Sequence, residues 1–381
     1  MNTMNSADAV PLSLTGSDSH KLVIAPGMGS LVVGPSGGMR RPDLIVEPDQ
    51  AIDWHVFDKM RTGAGSNWPR YISYEGNDTS LFTWMRERET EEVTFAPSGD
   101  LEVDASDANL GGLTLKPGSH RIKMTLPRTL RRLSIMGNPK RVHLDVPVDG
   151  KWPDIYLADD DSGTLTSVDG LPYLASVQSL GIRNTVLGAP FDCRSLLALR
   201  NLTHIRLYGA MAHLDALAEL PLNGLELRFV SDLDGLPDLG TWPGLSYFIA
   251  WNVEESVGKA LRKAVKQLPD SEDTFFNVSQ LRSKQWFIEE HGLPFASWTS
   301  KNEKIASKAY KAASKILKKA TTKAEARNTM VAFVETINGL AGIETSERDD
   351  AGDAVALLAE VNPTLMTPEE ALIWFDEIRD F

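Results

Sequence analysis

Apolar residues recur in a fixed short pattern through the middle of this 381-residue chain. Each copy has three apolar residues, the second three positions after the first and the third two positions after the second. Seven copies follow one another, with starts separated by 20, 22, 25, 25, 20 and 23 residues. They are Leu110/Leu113/Leu115, Leu130/Leu133/Ile135, Trp152/Ile155/Leu157, Val177/Leu180/Ile182, Leu202/Ile205/Leu207, Leu222/Leu225/Leu227 and Leu245/Phe248/Ala250. Because strand side chains alternate between two faces, the second and third apolar residues share a face, and each copy predicts a short strand.

One such strand cannot bury its apolar face alone, so consecutive copies must stack and share a continuous core. The spacing between copies lies in the range of leucine-rich repeats. Between Leu110 and Trp251 the chain therefore resembles a leucine-rich-repeat protein. The resemblance implies a solenoid, and we assign it to residues 101–270.

The predicted repeats are irregular where each strand ends. Regular leucine-rich repeats place an asparagine there to cap the turn, but here only Asn138, Asn184 and Asn252 lie near that position. The other turns must find different partners for their buried backbone groups. The stretch from Leu126-Pro127 to Asn138 is similar to the Leu-Pro-containing repeat of bacterial leucine-rich-repeat proteins.

The flanking segments differ from the repeats. Residues 1–20 are polar and are predicted to form a disordered tail. Residues 21–100 alternate short apolar runs with Gly and Pro, which predicts a β-rich cap over the open end of the solenoid. Residues 271–299 are assigned as a connecting segment.

Residues 300–381 are predicted to form an all-α bundle. Helix-capping signals occur at Ser300, Thr322, Ser346 and Thr367. The first helix is expected to place Ile305, Ala309, Ala312 and Ile316 on its buried stripe, beside several lysines. The segment from Glu344 to Phe381 carries eleven acidic residues and two arginines, so the basic and acidic helices are expected to pack in one four-helix bundle. The predicted fold class is α/β: an irregular leucine-rich-repeat solenoid with a β-rich N-terminal cap and an all-α C-terminal bundle.

Composition indicates a protein of the cytoplasm. The first 20 residues lack the basic start and apolar run of a secretory signal, and the uncharged stretch from Leu22 to Met39 is interrupted by five glycines and two prolines. The sole cysteine, Cys193, cannot form an internal disulfide, which favours a reducing compartment. The formal charge of −13 disfavours nonspecific nucleic-acid binding, and no membrane partner is expected.

Motifs for catalysis are weak. Gly29 to Gly34 has the glycine spacing of a phosphate-binding loop, but Pro35 stands where that loop needs lysine. The seven histidines form no pair at metal-ligand spacing, and Cys193 is expected to be a buried core thiol. We therefore predict no catalytic residue, no cofactor and no metal. One alternative stays open, in which His55, next to Trp54, and Asp58 serve acid–base chemistry.

The residues between the apolar positions of each copy are expected to face the concave side of a leucine-rich-repeat horseshoe. Arginine and aromatic residues, which dominate interface energetics, gather there. The predicted partner-binding residues are Arg132, Asp154, Tyr156, Arg183, His204, Arg206, Tyr208, Glu226, Arg228, Tyr247 and Trp251. Four of these are arginines and two are carboxylates, so an acidic patch on a protein partner fits this strip.

A C-terminal segment is similar to the helical tail of bacterial immunity-type proteins, which neutralise a toxin by binding it. The similar residues are Phe333-Val-Glu-Thr-Ile-Asn338-Gly-Leu340 and Ile343-Glu-Thr-Ser-Glu-Arg-Asp-Asp350-Ala. The resemblance implies an immunity protein that neutralises a toxin by stoichiometric binding, and the acidic helices fit a basic toxin. The alternative is a leucine-rich-repeat scaffold, regulator or effector that binds a host or signalling protein.

Overall fold

The computed structural model describes residues 9–23, 29–38, 40–160, 165–269 and 271–380. The chain divides into two compact units, Met1–Leu281 and Arg282–Phe381. The strands, in chain order, are β1 (Ala9–Leu12), β2 (His20–Val23), β3 (Ser30–Gly34), β4 (Leu44–Ile45), β5 (Tyr71–Glu75), β6 (Thr90–Ala96), β7 (Leu101–Asp104), β8 (Leu110–Leu115), β9 (Ile122–Thr125), β10 (Arg132–Met136), β11 (Val142–Asp145), β12 (Asp154–Ala158), β13 (Ser179–Arg183), β14 (Phe191–Asp192), β15 (His204–Tyr208), β16 (Met211–Ala212), β17 (Gly224–Arg228), β18 (Tyr247–Trp251) and β19 (Phe275–Ser279).

The α-helices are α1 (Ser80–Trp84), α2 (Glu255–Ala264), α3 (Lys284–His291), α4 (Ser300–Leu317), α5 (Lys323–Asn338), α6 (Thr345–Ala359) and α7 (Pro368–Ile378). The first unit contains all the strands and the second contains α3 to α7. The fold is thus mixed α/β, with a long parallel sheet followed by C-terminal helices. None of the helices in the described part of the chain has the length and apolar content that a membrane crossing requires.

Within the described residues, twelve strands form one sheet in the order β19-β18-β17-β15-β13-β12-β10-β8-β6-β5-β3-β4, with parallel neighbours throughout. The seven copies of the apolar pattern supply seven adjacent strands of this sheet: β8, β10, β12, β13, β15, β17 and β18. The register pairs equivalent positions, so Leu133 pairs with both Leu113 and Ile155. The strand prediction is confirmed for every copy.

Burial alternates along these strands as the pattern predicts. In β15, Ile205 and Leu207 are buried, whereas His204, Arg206 and Tyr208 are only half-buried. The second and third apolar residues of all seven copies join one hydrophobic cluster. Since burying one large aliphatic side chain stabilises the fold by about 1.5–3 kcal/mol, this shared core is the main source of the unit's stability.

Behind the core, the chain between the large-sheet strands forms shorter elements. A second parallel sheet has the order β11-β9-β7, and β14 pairs with β16. Short 3₁₀ turns such as Pro172–Ser176 and Leu214–Glu219 also lie between strands of the large sheet, and they bury leucines. The variable spacing between copies is thus taken up outside the large sheet.

The segment predicted to be a β-rich cap continues the large sheet through β3 to β6. Its tryptophans Trp54, Trp68 and Trp84 are buried, and the Trp54 and Tyr74 ring centroids lie 5.3 Å apart. The antiparallel pair β1–β2 adds apolar side chains to the same core. Strand β1 falls in the segment predicted to be a disordered tail, whose residues 1–8 lie outside the described residues.

Asn184 caps the turn after β13. It is buried, its Nδ2 donates to the carbonyl oxygens of Ala189 (2.6 Å) and Ala210 (3.3 Å), and its Oδ1 accepts from the Thr185 N–H at 2.8 Å. Asn138 has a different role from the predicted one: it is exposed and caps the 3₁₀ turn Pro139–Arg141 through the Lys140 N–H.

The helical unit has its own core, to which α4, α5, α6 and α7 all contribute. Thr322 and Thr367 form the predicted capping boxes with glutamates three residues later. The other two predicted caps are wrong by one or two residues, since Thr299 caps α4 and Glu344 caps α6.

The predicted buried stripe of α4 is also wrong. The buried apolar residues are Ala306, Tyr310, Ala313 and Leu317, whereas Ile316 is 55% exposed. The helix packs through Tyr310 and Leu317 because together they bury more apolar area than the predicted stripe. The helices α4 to α7 share one core, but within the described residues no ion pair joins a lysine of α4 to the acidic C-terminal segment. Instead, Lys311 and Lys318 pair with glutamates of α3, and Lys323 and Arg327 of α5 pair with Glu370 and Glu377 of α7.

Leu180→Ala should lower the free energy of unfolding by about 2–5 kcal/mol, because Leu180 is fully buried between Ile155 and Ile205. Urea unfolding followed by circular dichroism measures this change. Gln178→Ala, two residues earlier at an exposed position, is the control and should change the value by less than about 0.5 kcal/mol. Equal losses in the two variants would contradict the assigned burial of Leu180.

Candidate functional site

The face of the large sheet opposite the core carries all the predicted partner-binding residues. They lie on β10 to β18 at the third, fifth and seventh positions of the apolar pattern. We call this set the arginine–aromatic face; its members are Arg132, Asp154, Tyr156, Arg183, His204, Arg206, Tyr208, Glu226, Arg228, Tyr247 and Trp251. All are half-buried or exposed except Glu226, which is buried.

Glu226 organises the centre of this face. Its carboxylate pairs with Nε of Arg228 and lies 3.7 Å from Nε of Arg206. Arg206 in turn contacts Asp154, with 3.5 Å between Nη2 and Oδ2. A buried carboxylate needs such partners, since an unpaired buried charge is strongly destabilising. Glu226 therefore fixes the positions of two arginines on the face.

Aromatic rings contact Arg206 and Arg228, and also Arg183. The guanidinium carbon of Arg206 lies 5.2 Å from the Tyr156 ring centroid, that of Arg183 lies 5.1 Å from Tyr208, and that of Arg228 lies 5.6 Å from Trp251. These distances are in the range of cation–π contacts. Each of three arginines is thus stacked on an aromatic ring of a nearby strand.

Phe229 completes the aromatic group, and it was not among the predicted residues. Its ring centroid lies 4.8 Å from that of Tyr208 and 5.0 Å from that of Trp251. Its backbone φ is +51°, a left-handed conformation that is unfavourable for a bulky residue. Strain of this kind persists where the surroundings enforce it and often marks a functional site. The signal in the sequence was a phenylalanine directly after the strand, where asparagine or glycine is expected.

Two glycines leave room for flat side chains on the face. A Cβ atom at Gly181 would overlap the Tyr156 ring, and one at Gly224 would overlap the ring of His204. Both glycines lie on strands next to the ring that they accommodate. Partial burial against these neighbours raises the pKa of Tyr156 above its usual value, so this residue stays a neutral hydroxyl at physiological pH.

The predicted residues do not form one continuous cluster. A shallow cavity of about 440 Å³ is lined by Tyr156, Ile182, Arg183, Arg206, Leu207, Tyr208, Glu226 and Arg228. Arg132 lies apart and pairs with Glu92 of β6 at 3.7 Å, and the Tyr247 ring stacks on Phe275 of β19 at 5.7 Å. Sequence reasoning missed Glu92 and Phe275 because β6 and β19 do not carry the full apolar pattern.

The alternative acid–base pair is formed in the structure. His55 Nδ1 lies 2.9 Å from Asp58 Oδ2, and Trp84 Nε1 donates to Asp58 Oδ1 at 2.8 Å. The hydrogen bond with Asp58 raises the pKa of His55. Partial burial raises the pKa of Asp58, but the hydrogen bonds from Trp84 and His55 outweigh it, so its pKa lies below the usual value. The His55 side chain is 70% exposed.

The remaining candidate chemistry is limited. Cys193 is buried as predicted, and burial raises its pKa to about 12, so the thiol is not activated. In the described ranges, no three His, Cys, Asp or Glu side chains are arranged to hold a metal ion. Of the glycine-rich segment Gly29 to Gly34, residues 30–34 form the strand β3 instead of a phosphate-binding loop.

No protein-family model, curated protein or solved structure matches the chain. Its function is therefore inferred from its own residues.

The residues that resemble an immunity-type tail hold the helical unit together. Asn338 ends α5, and its Nδ2 donates to the carbonyl oxygen of Ile378 at 3.0 Å. Asp350 of α6 accepts from Trp298 Nε1 at 2.9 Å and from Ser297 Oγ at 3.3 Å. The segment thus joins three parts of the unit, and its conspicuous polar residues have structural partners.

The His55–Asp58 contact predicts a pH-dependent change that NMR can detect. The pKa of His55 should lie above 6.5 in the native chain and fall in Asp58→Asn, which removes the negative charge. Because the folded pKa is raised, the pair stabilises the fold below pH 6.5, and this contribution is lost as the pH rises through the folded pKa. His143, which is exposed on β11, is the internal control. A His55 pKa that is the same in both proteins would contradict the contact.

Proposed function

We propose that the chain is a protein–protein interaction module of the leucine-rich-repeat type, with the large sheet as one side of an irregular solenoid. Three observations support this. Successive strands of the large sheet pair in parallel, equivalent apolar positions are aligned by the register, and the connecting segments form a second layer across the core. This arrangement is the one that stacked repeats need to bury a common core.

The binding surface that we propose is the arginine–aromatic face. The observation that carries this proposal is the group of Tyr208, Phe229 and Trp251 with Arg183 and Arg228 stacked against it. Tyrosine, tryptophan and arginine are the residues most enriched at energetic centres of protein interfaces. Here their rings and guanidinium groups are already held in place, so a partner would pay little entropy to order them.

We further propose that the partner is a toxin and that the chain acts as an immunity protein by stoichiometric binding. The support is the similarity of residues 333–351 to the tail of bacterial immunity-type proteins, together with a rigid binding face. The mechanism would be occlusion, in which the bound chain covers the functional surface of the toxin. No turnover is needed for this mechanism, and none of the residues of the face is placed as a nucleophile.

The test begins with the full chain as bait in a lysate of its native cells, followed by identification and stoichiometry of the bound proteins. For an immunity protein we expect one near-equimolar partner whose toxic activity is lost when the two are mixed. Several substoichiometric partners without toxic activity would favour the scaffold, regulator or effector alternative.

Tyr208→Ala and Trp251→Ala should each weaken binding of the purified partner by more than about 1 kcal/mol, because each removes a large ring from the face. Isothermal titration calorimetry measures the affinity, and thermal unfolding checks that each variant is folded. Trp374→Ala is the matched control, since Trp374 is also half-buried but belongs to α7. Loss of binding only in Trp374→Ala would move the site to the helical unit.

A further inference from the structure

Arg183 differs from the other arginines of the face. Arg132, Arg206 and Arg228 each have a carboxylate within 4.0 Å. The Arg183 guanidinium stacks on Tyr208, and no acidic side chain of the described residues lies within the same distance of it. Arg183 is also exposed, whereas Arg206 and Arg228 are half-buried. Its charge is therefore available to a ligand.

The carboxylates of this region are already engaged. Glu226 is buried between Arg206 and Arg228, and Asp154 lies beside Arg206. A cation approaching the face would have to compete with these arginines for each carboxylate. An anion meets no such competition at Arg183. The charge that the face offers to a partner is thus positive, although the whole chain carries −13.

The seventh positions of four adjacent strands form one row. The register pairs Arg183 with Tyr208, Tyr208 with Arg228, and Arg228 with Trp251. Neighbouring strands are about 4.8 Å apart, so the row alternates cation and aromatic ring over roughly 14 Å. Arg228 donates to Glu226 through Nε, so its Nη donors are not used in that bond. The row offers guanidinium donors beside apolar ring surface.

We infer that this row binds an acidic segment of the protein partner, with a glutamate or aspartate carboxylate on Arg183 and apolar side chains on the rings of Tyr208 and Trp251. The inference rests on the proposed function and adds the chemistry of the partner. Guanidinium groups pair with carboxylates through parallel N–H donors, and stacking on a ring fixes the plane in which they do so. Glu226 is a positioning residue in this arrangement, because it orients Arg206 and Arg228 without facing the partner.

The test uses three fluorescein-labelled peptides of equal length with leucine and glycine at the same positions. All remaining positions are glutamate in the first peptide, glutamine in the second and lysine in the third. Fluorescence anisotropy with the full chain measures their affinities at low and high salt. We expect the glutamate peptide to bind about tenfold more tightly than the glutamine peptide and the lysine peptide to bind most weakly. Salt should reduce the preference for glutamate, because ions screen an exposed charge pair.

Arg183→Gln should abolish the preference for glutamate over glutamine, and Arg183→Lys should keep part of it. Arg194→Gln is the matched control, because Arg194 is an exposed arginine outside the face, paired with Asp192. It should leave all three affinities unchanged. Tyr208→Ala should weaken both the glutamate and the glutamine peptides, since it removes ring surface, and should reduce the preference for glutamate less than Arg183→Gln does, since it keeps the charge.

Three results would overturn the inference: equal affinities for glutamate and glutamine peptides, an unchanged preference in Arg183→Gln, or no binding of the glutamate peptide at millimolar concentration. Tighter binding of a single-stranded oligonucleotide than of the glutamate peptide would also overturn it and assign the row to nucleic acid. These failures are separate from failure of the proposed function, which Tyr208→Ala and Trp251→Ala test with the natural partner.

Discussion

The parallel register of the large sheet is the constraint on which the rest of the first unit depends. From Ile72 to Phe276, residues 20 to 28 positions apart pair as neighbours, and each pairing puts an apolar side chain above another. Side chains alternate with period two, so a slip of one residue would send the leucines to the outer face and the arginines into the core. The core and the arginine–aromatic face are therefore fixed by the same pairing.

On the outer face, the buried carboxylate of Glu226 holds surface arginines in position. Glu226 is nearly enclosed, yet its contacts are the guanidinium groups of Arg206 and Arg228 on its own and a neighbouring strand. The rings of Tyr156 and Trp251 cover the same two arginines. Long side chains that would be mobile on an ordinary sheet are confined here, which lowers the entropy lost when they bind. Among the described residues, Arg183 has the ring contact without a carboxylate partner.

Much of the large sheet was predictable from sequence, because the seven copies of the pattern have apolar residues at all three positions. The strands β5, β6 and β19 have the second and third apolar residues but carry Pro69, Thr90 and Asp273 at the first, so a search for the full pattern passes over them. These strands belong to the large sheet because they pair with a neighbouring strand, and a local sequence pattern does not predict such pairing. The same limit applies to α4, where several faces are apolar and the helices packed against it decide which is buried. The alternation of side chains predicts that the eleven residues share one face. The contacts of Phe229 depend on a left-handed backbone conformation, which its residue type does not predict.

The burial of Cys193 has a practical consequence for studying the binding face. The chain has a single thiol, enclosed in the core and protonated at neutral pH. The thiolate is the form of cysteine that attacks a maleimide, so the native protein should be inert towards maleimides while it is folded. A cysteine placed at an exposed edge of the large sheet would then be the one reactive position. A spectroscopic label can therefore be attached to such an introduced cysteine without first replacing Cys193.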